Sequence, residues 1–420
     1  MANTIPQEVI LKGVEQYGTP LWFYDRATIE KAVRDVQVFD TVRFAQKACP
    51  NLSVVALMRK LGCVVDAVSA GEIVRALKAG FVGGCDKKQK APQIVYTADI
   101  LDRDALELVK KYDIPVNVGS PDMIQQLADA GVKTELTLRV NPGFGHGHSR
   151  KTNTGGDLSK HGVWHEQIKD CVKLAQANGM WISGLHMHIG SGTDFEHLAQ
   201  VCDAMVDASR RLGGHLRTIS AGGGLPIPYH EEDKGSRIDV KAYYDLWDNA
   251  RKRIQQSVGH DVNLEVEPGR YLVAESGLLV AEIRAVKKQG DNLFYLLDAG
   301  FTDLVRPSFY GSYHAISVIA RDGRELNETV DVVVGGPLCE SGDVFTQEEG
   351  GFVVTRKLPK AKVGDLLVLH DAGAYGAAMS SNYNSRRYAA EVMYTGGKLE
   401  VVRERQTFEQ MLQNDRVIDF

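Results

Sequence analysis

Between residues 42 and 266 the chain repeats one pattern eight times: a short run rich in β-branched residues, then a longer stretch that is mostly of helical periodicity. The short runs fall at 42–45, 64–68, 94–97, 115–118, 136–140, 182–188, 216–220 and 263–266. Residues 70–79, 102–112, 121–130 and 195–212 carry the clearest helical pattern. Short apolar runs separated by helices predict a parallel sheet. Eight such units predict a sheet closed on itself as a (β/α)8 TIM barrel, and the span fits the ~250 residues typical of one.

The texture changes after Arg270. Strand-like runs at 277–285, 293–297, 328–334, 351–355, 365–369 and 389–393 follow one another across Gly-rich turns with no long helix between them. This predicts a second, β-rich domain of the sandwich or barrel kind. The expected division is a barrel over residues 25–272 and a β-rich domain built from 1–24 and 273–420. The longest expected loop, 143–162, holds Gly143, Gly145, Gly147, Gly155 and Gly156. A loop of that length inside a compact domain is functional or disordered.

Composition narrows the function. With 44% hydrophobic and 25% charged residues over 420 positions, this is an ordinary globular chain, long enough for a barrel and a second domain. A formal net charge of -5 without a Lys/Arg-rich tract argues against nucleic acid as a partner. No apolar run reaches the length of a membrane span, and residues 1–19 lack a basic-then-apolar leader, so no membrane partner and a cytoplasmic location are expected. Cys49, Cys63, Cys85, Cys171, Cys202 and Cys339 form no C-x-x-C pair, so neither a disulfide framework nor a zinc site is signalled.

A barrel places its catalytic groups at the C-terminal ends of its strands. Lys47 follows the first run, Ser69-Ala70-Gly71-Glu72 the second, Asp99 the third and Gly119-Ser120 the fourth. Asn141-Pro142-Gly143 follows the fifth, His188-Ile189-Gly190-Ser191 the sixth, Gly222-Gly223-Gly224 the seventh and Glu267-Pro268-Gly269-Arg270 the eighth. Packing alone does not call for polar residues and glycines at all eight mouths.

Each candidate also has a plainer reading. Lys47 is either a strand-end lysine snorkelling to water or a Schiff-base lysine. The run Ser220-Ala221-Gly222-Gly223-Gly224 forms a plain Gly-rich turn or a phosphate cradle, in which backbone N–H groups converge on an anion. Glu265 and Glu267 share a strand face directed into the barrel mouth. A carboxylate there can hold a pyridine nitrogen protonated, and Arg270 can bind a phosphate or carboxylate; the alternative is an internal Glu–Arg ion pair. His186 and His188 are spaced like zinc ligands on a strand, but no third ligand accompanies them, and no metal is expected. His188 is better placed to lie flat over an aromatic ring, and His186 reads as structural. Cys339, beside Glu340 and Asp343 in a Gly-flanked turn, reads as a proton donor, a nucleophile or an inert turn residue; an ordinary thiol, of pKa ~8.5, is protonated at neutral pH.

Together these pieces resemble the fold-type III pyridoxal-phosphate decarboxylases, which include diaminopimelate, ornithine and arginine decarboxylases. The resemblance rests on Lys47-Ala48, residues 66–72, 138–143 and 186–191, Gly222-Gly223-Gly224, Glu267-Pro268-Gly269-Arg270, residues 339–343 and 371–376, in the family's order over nearly the whole chain. Residues 139–149, 306–314, 339–341 and 379–386 are most similar to the diaminopimelate branch of the enterobacterial kind. Two positions depart from the wider family. Thr97-Ala98-Asp99 replaces a Gly-Asn run and Lys160-His161-Gly162 replaces a Lys-Phe-Gly, both taken as subgroup features.

The resemblance implies pyridoxal 5'-phosphate as cofactor, carried on Lys47, with His188 stacked on its ring and Glu267, in the Glu267-Pro268-Gly269 turn, at its ring nitrogen. It implies that Ser191, Gly222, Gly223, Gly224 and Arg270 hold the phosphate, with Tyr375 touching phosphate or substrate. Arg306, Tyr310 and Glu340 would bind the substrate's far end, which Arg270 also reaches, and Cys339 would return a proton to the substrate. In the family that cysteine enters from the partner subunit, which implies a homodimer with shared active sites. An arginine fork at Arg306 suits a distal carboxylate and Glu340 a distal ammonium, a combination that fits diaminopimelate. Other expectations remain: a decarboxylase of another carboxylated amine or of the ornithine/arginine type, an alanine-racemase-like enzyme, or a catalytically dead regulatory homologue. The racemase reading is disfavoured by the Cys339-Glu340 motif, and the dead homologue by the presence of Lys47 and Cys339.

Overall fold

The computed structural model describes residues 5–84, 91–145, 155–188, 194–230 and 232–420. In chain order, strand β1 (Leu21–Asp25) is followed by β2 (Thr41–Ala45), β3 (Val64–Ala67), β4 (Ile94–Ala98), β5 (Val116–Val118), β6 (Glu135–Asn141), β7 (Val163–Trp164), β8 (Trp181–His186), β9 (Thr218–Ser220) and β10 (Asn263–Val266). Pairing runs β2-β3-β4-β5-β6-β8-β9-β10 and returns to β2, every pair parallel. This is the expected (β/α)8 barrel, and each expected run supplies one strand. The two-residue β7 pairs with the end of β6.

Side-chain parity explains which face holds chemistry. Val42, Phe44, Val65, Tyr96, Val116, Val118, Leu136, Leu138, Leu185, Ile219, Leu264 and Val266 are buried and apolar, and helices pack against these strands. Alternate positions carry buried polar side chains: Arg43, Asp66, Thr97, Asn117, Arg139, His186, Ser220 and Glu265. Successive strand residues point to opposite faces, so the apolar set lies under the helices and the polar set fills the barrel. Register aligns Arg139 with His186, His186 with Ser220, and Ser220 with Glu265. Arg43 makes this interior tolerable. It donates to both Glu265 oxygens at 3.1 Å, to Val65 O at 3.3 Å and to Pro92 O at 3.0 Å. A buried pair so fully bonded is costly to break from one side, by roughly 3–5 kcal/mol.

The helices start where the sequence supplies caps. Ser69 Oγ accepts from Glu72 N at 3.2 Å, and the Glu72 carboxylate accepts from Val68 N at 2.8 Å, fixing the start of helix Ala70–Lys78. Ile73 and Ala76 bury its apolar side. Asp102 and Asp194 cap helices Arg103–Tyr112 and Phe195–Leu212 in the same way.

The chain divides into two compact units. Ala32–Pro226 and Arg237–Leu272 form the barrel unit; the residues up to Lys31, Ile227–Ser236 and Val273–Phe420 form the other. The second unit contains β1 and then β11 (Gly277–Gln289), β12 (Asn292–Leu297), β13 (Ile316–Ile319), β14 (Thr329–Gly335), β15 (Arg356–Pro359), β16 (Leu366–Leu369), β17 (Ala390–Thr395) and β18 (Lys398–Arg403). Its sheet runs β15-β14-β12-β11-β1-β17-β18, with β16 pairing both β11 and β13. The fully buried β1 lies in the middle, antiparallel to β11 and parallel to β17. Leu21, Phe23, Leu278, Val280, Val368 and Val392 form the core with Ile10 and Val14 of helix Gln7–Tyr17. One expected strand is corrected: after a turn in which Gly350 and Gly351 adopt φ of +87° and +82°, the run 351–355 makes only an isolated antiparallel bridge, Val353 to Gln347, and continuous pairing with β14 begins at Arg356. Among the described residues no helix is long and apolar enough to cross a membrane.

Candidate active site

The polar interior of the barrel ends in a mouth built by the turns after β2, β9 and β10. Lys47 lies on a single 3-10 turn, Gln46–Ala48, directly after β2. Gln46 is buried and donates to Asp66 O at 3.0 Å, which anchors the turn and leaves Lys47 exposed. After β10, Glu267 N donates to Gly222 O at 2.8 Å, and Pro268 O accepts from Ala45 N at 3.2 Å. A Cβ on Gly269 would come within 3.1 Å of Ala48 Cβ, so glycine keeps this turn against the Lys47 turn.

The three glycines after β9 are shaped by close approach. A Cβ on Gly222 would stand 2.6 Å from Met187 O and 2.7 Å from His188 Cβ, and one on Gly223 would stand 2.6 Å from Glu267 O. Gly222 and Gly224 also adopt φ of +65° and +99°, which side chains other than glycine's resist. The backbone here is therefore bare of side chains beside His188 and Glu267.

Charge at the mouth is set by burial and its compensation. Burial would raise Glu267, but His186 beside it, the hydrogen bonds from His186 Nε2 (2.9 Å) and Ser220 Oγ (2.8 Å), and Arg43 bring it down to about 2. Glu267 is ionised at neutral pH. Asp66 goes the other way: burial and the negative charge of Glu267 raise it to about 7, against the pull of Thr97 and Lys47. Burial, with Arg139 and Lys47 nearby, drives His188 well below the ordinary histidine range, so its ring is neutral. Arg270 is half-buried and opens the short helix Arg270–Val273. Ser191 lies outside the described residues, as do Cys85 and, within the 143–162 loop, residues 146–154.

The arrangement fits a flat cofactor with an anionic tail and a basic ring nitrogen. Bare glycine backbone suits the tail, a neutral buried imidazole suits a ring face, an ionised carboxylate suits the nitrogen, and Lys47 offers an amine. The two departures from the wider family meet here too. His161 and Asp99 are bonded side chain to side chain, Gly162 N donates to Asp99 at 3.2 Å, and Arg139 stands 3.9 Å away. The hydrogen bond from His161 and the charge of Arg139 outweigh burial and lower Asp99.

In the β-rich unit, Cys339 and Glu340 are exposed on the turn that follows β14. Asp343 builds that turn from beneath. Its carboxylate accepts from Leu338 N at 2.8 Å and Phe301 N at 2.7 Å, and its carbonyl accepts from Gly336 N at 2.9 Å. Cys339 N donates to Asn384 Oδ1 at 3.1 Å. Arg306, buried on helix Arg306–Tyr310, donates to His314 Nε2 at 2.8 Å and Ser312 Oγ at 3.3 Å and lies over the Tyr229 ring at 4.9 Å. Tyr310 is half-buried, edge-on to Phe309 at 4.6 Å. Tyr375 adopts φ of +57° in a turn where Gly376 packs on Trp22.

Sequence reading therefore placed Lys47, His188, the glycines and Glu267 at one mouth, and the structure brings them together there. It put Ser220 in a phosphate cradle rather than beside Glu267, gave Asp66, Asp343 and Asn384 no supporting role, and gave His186 no partner. Parity held the missing signal for Ser220: with Glu265 and Glu267 on one face, a serine in register with Glu265 belongs on that face as well.

Comparison with known proteins agrees with this geometry. Residues 26–274 match the family model for the pyridoxal binding domain of pyridoxal-dependent decarboxylases. The diaminopimelate decarboxylase of Escherichia coli (strain K12) is 51% identical over 407 residues, covering 96% of each chain. A crystal structure of a diaminopimelate decarboxylase superposes with a TM-score of 0.92 at 51% identity, covering 97% of this chain and 96% of that one. The Helicobacter pylori diaminopimelate decarboxylase complexed with L-lysine gives 0.82 at 30% identity over 96% of this chain and 98% of that one. The chain belongs to the pyridoxal-dependent decarboxylase family.

Proposed function

We infer that this chain is a lyase that removes CO2 from meso-2,6-diaminopimelate to give L-lysine, the last step of lysine biosynthesis, with pyridoxal 5'-phosphate as cofactor. The observation that carries the reading is the barrel mouth, where an ionised, doubly hydrogen-bonded Glu267 stands beside bare glycine backbone. The relatives named above, at up to 51% identity over nearly the full length, support diaminopimelate as substrate. L-lysine bound to the Helicobacter pylori protein supports lysine as product.

The cofactor, when bound, supplies an electron sink for the charge left at Cα as CO2 departs. Lys47 holds it covalently. Ser191, Gly222, Gly223, Gly224 and Arg270 bind its phosphate, with Tyr375 adding a contact. His188 would present a neutral ring to one face, and Glu267, in the turn it makes with Pro268 and Gly269, would face the ring nitrogen. Arg306, Tyr310 and Glu340 receive the far end of the substrate, with Arg270 and Tyr375 reaching it as well. Cys339 delivers a proton to Cα. The working form is a cytoplasmic homodimer in which each barrel uses the β-rich domain of its partner.

The test is CO2 release across meso-diaminopimelate, lysine, ornithine, arginine and carboxylated polyamine precursors. Turnover of diaminopimelate with stoichiometric lysine is expected. Turnover of another substrate without diaminopimelate would replace this reading by the second one, a decarboxylase of a different amine.

A further inference from the structure

Glu267 is held more firmly than an ion pair to a ring nitrogen requires. Oε2 accepts from His186 Nε2 at 2.9 Å and Oε1 from Ser220 Oγ at 2.8 Å. All three side chains are buried. They come from β8, β9 and the end of β10, and register sets His186 beside Ser220 and Ser220 beside Glu265, two residues before Glu267 on the same face. Among the described residues His186 Nδ1 has no hydrogen-bond partner. The ring proton therefore belongs on Nε2, where Glu267 accepts it. Ser220 Oγ also accepts from Gly222 N at 3.1 Å, so its own proton goes to Glu267.

Resting on the pyridoxal-phosphate reading above, we propose that His186 and Ser220 are positioning residues that keep the Glu267 carboxylate charged and in one orientation, so that it holds the cofactor's ring nitrogen protonated. A buried carboxylate left alone takes up a proton, and a neutral acid does not sustain a cationic ring nitrogen. Two donors on opposite oxygens work against that protonation and fix the side-chain torsions. A carboxylate accepts at about four positions, so positions remain for the ring. Ser220 adds a second link. One hydroxyl joins the Gly222 turn to Glu267, so the phosphate end and the nitrogen end of the cofactor are located by a single side chain.

The test uses holoenzyme loaded with cofactor labelled with 15N in the pyridine ring. His186→Gln places an amide nitrogen where Nε2 stands; His186→Asn stops short of Glu267. The wild type and the Gln variant should show the 15N shift of a protonated ring nitrogen. The Asn variant should shift toward the unprotonated value, with kcat reduced roughly ten- to a hundredfold, as for a lost hydrogen bond to a charged group, and KM changed less than about threefold. Ser220→Ala should move the 15N shift in the same direction and also raise the dissociation constant for the cofactor. Retention of the wild-type shift and kcat in both histidine variants would reduce His186 to packing and overturn the proposal. Equal loss in both would overturn it too, since the placement of the donor would not matter. A wild-type protein that takes up no labelled cofactor would overturn the functional reading along with it.

Discussion

Asp66 and Glu267 are carboxylates buried at one barrel mouth, yet they end in opposite states. Glu267 has two donors and sits at about 2; Asp66 has the charge of Glu267 against it and sits at about 7. The consequences for stability have opposite signs. Asp66 binds its proton more tightly folded than unfolded, so its contribution falls as pH rises from about 4 to about 7. Glu267 binds its proton more weakly folded, so its contribution is present above about 4.5 and is lost as pH falls toward about 2. Asp66→Asn should therefore remove a decline in denaturation midpoint between pH 4 and 7 worth a few kcal/mol on the order of magnitude. An unchanged pH profile in that variant would place the Asp66 proton elsewhere. Lys47 is tested covalently: borohydride reduction of the holoenzyme followed by peptide mapping should label Lys47, and Lys47→Ala should lose the visible cofactor band. A label on another lysine would end that assignment. Arg306→Ala should cost two or more kcal/mol in kcat/KM on diaminopimelate, about the worth of a charged hydrogen bond. Unchanged turnover would remove Arg306 from substrate recognition.

Elements whose local pattern agreed with their environment were legible before the structure. All eight barrel strands were, because each is a short run rich in β-branched or other apolar residues and most are followed by a stretch of helical pattern. In the β-rich unit β1, β13, β15 and β18 were missed. β1 is buried at all five positions and so shows no alternation; β18 is short, with exposed Lys398 and Glu400 between partly buried residues and the pattern ending at Val402-Arg403. The run at 351–355 looked like a strand because its valines are β-branched; it follows two positive-φ glycines and keeps only a single bridge, Val353 to Gln347. Site turns were legible by composition but not by mechanism. The acids of the Cys339 motif proved different in kind: Glu340 is exposed, while Asp343 ties down the turn with its side chain. Asp343→Ala should destabilise the fold by about 2–4 kcal/mol, one buried and one part-buried N–H group being left without this acceptor. Asn384→Gly removes the bond to Cys339 N at a position whose φ of +52° glycine accepts without strain. It should leave the melting temperature nearly unchanged while lowering kcat by roughly fivefold, the worth of about 1 kcal/mol. A normal kcat would show that the Cys339 turn is held without Asn384.

Over the whole molecule, the local pattern carried the barrel and the β-rich character of the remainder, but long-range pairing was beyond it. β1 is separated from its neighbours β11 and β17 by the entire barrel, and Ile227–Ser236 leaves the barrel sequence to join the β-rich unit. Neither arrangement has a signature in a window of adjacent residues. Assembly is a further step again, and the proposed division of labour between subunits makes a quantitative demand. If each site takes Lys47 from one chain and Cys339 from the other, Lys47→Ala and Cys339→Ala proteins should each be inactive alone and complement when mixed and allowed to exchange subunits. In a hybrid dimer one site inherits both substitutions and is dead, while the other inherits both native residues and works. Random exchange makes about half of the dimers hybrid, each with one working site of two, so recovered activity should approach roughly a quarter of wild type. A site built within one chain would leave every site in every hybrid defective, and mixing would restore nothing. Differently tagged chains that co-purify establish that exchange has taken place. With exchange established, absence of recovery would rule out the shared site and leave Lys47 and Cys339 to act within a single chain.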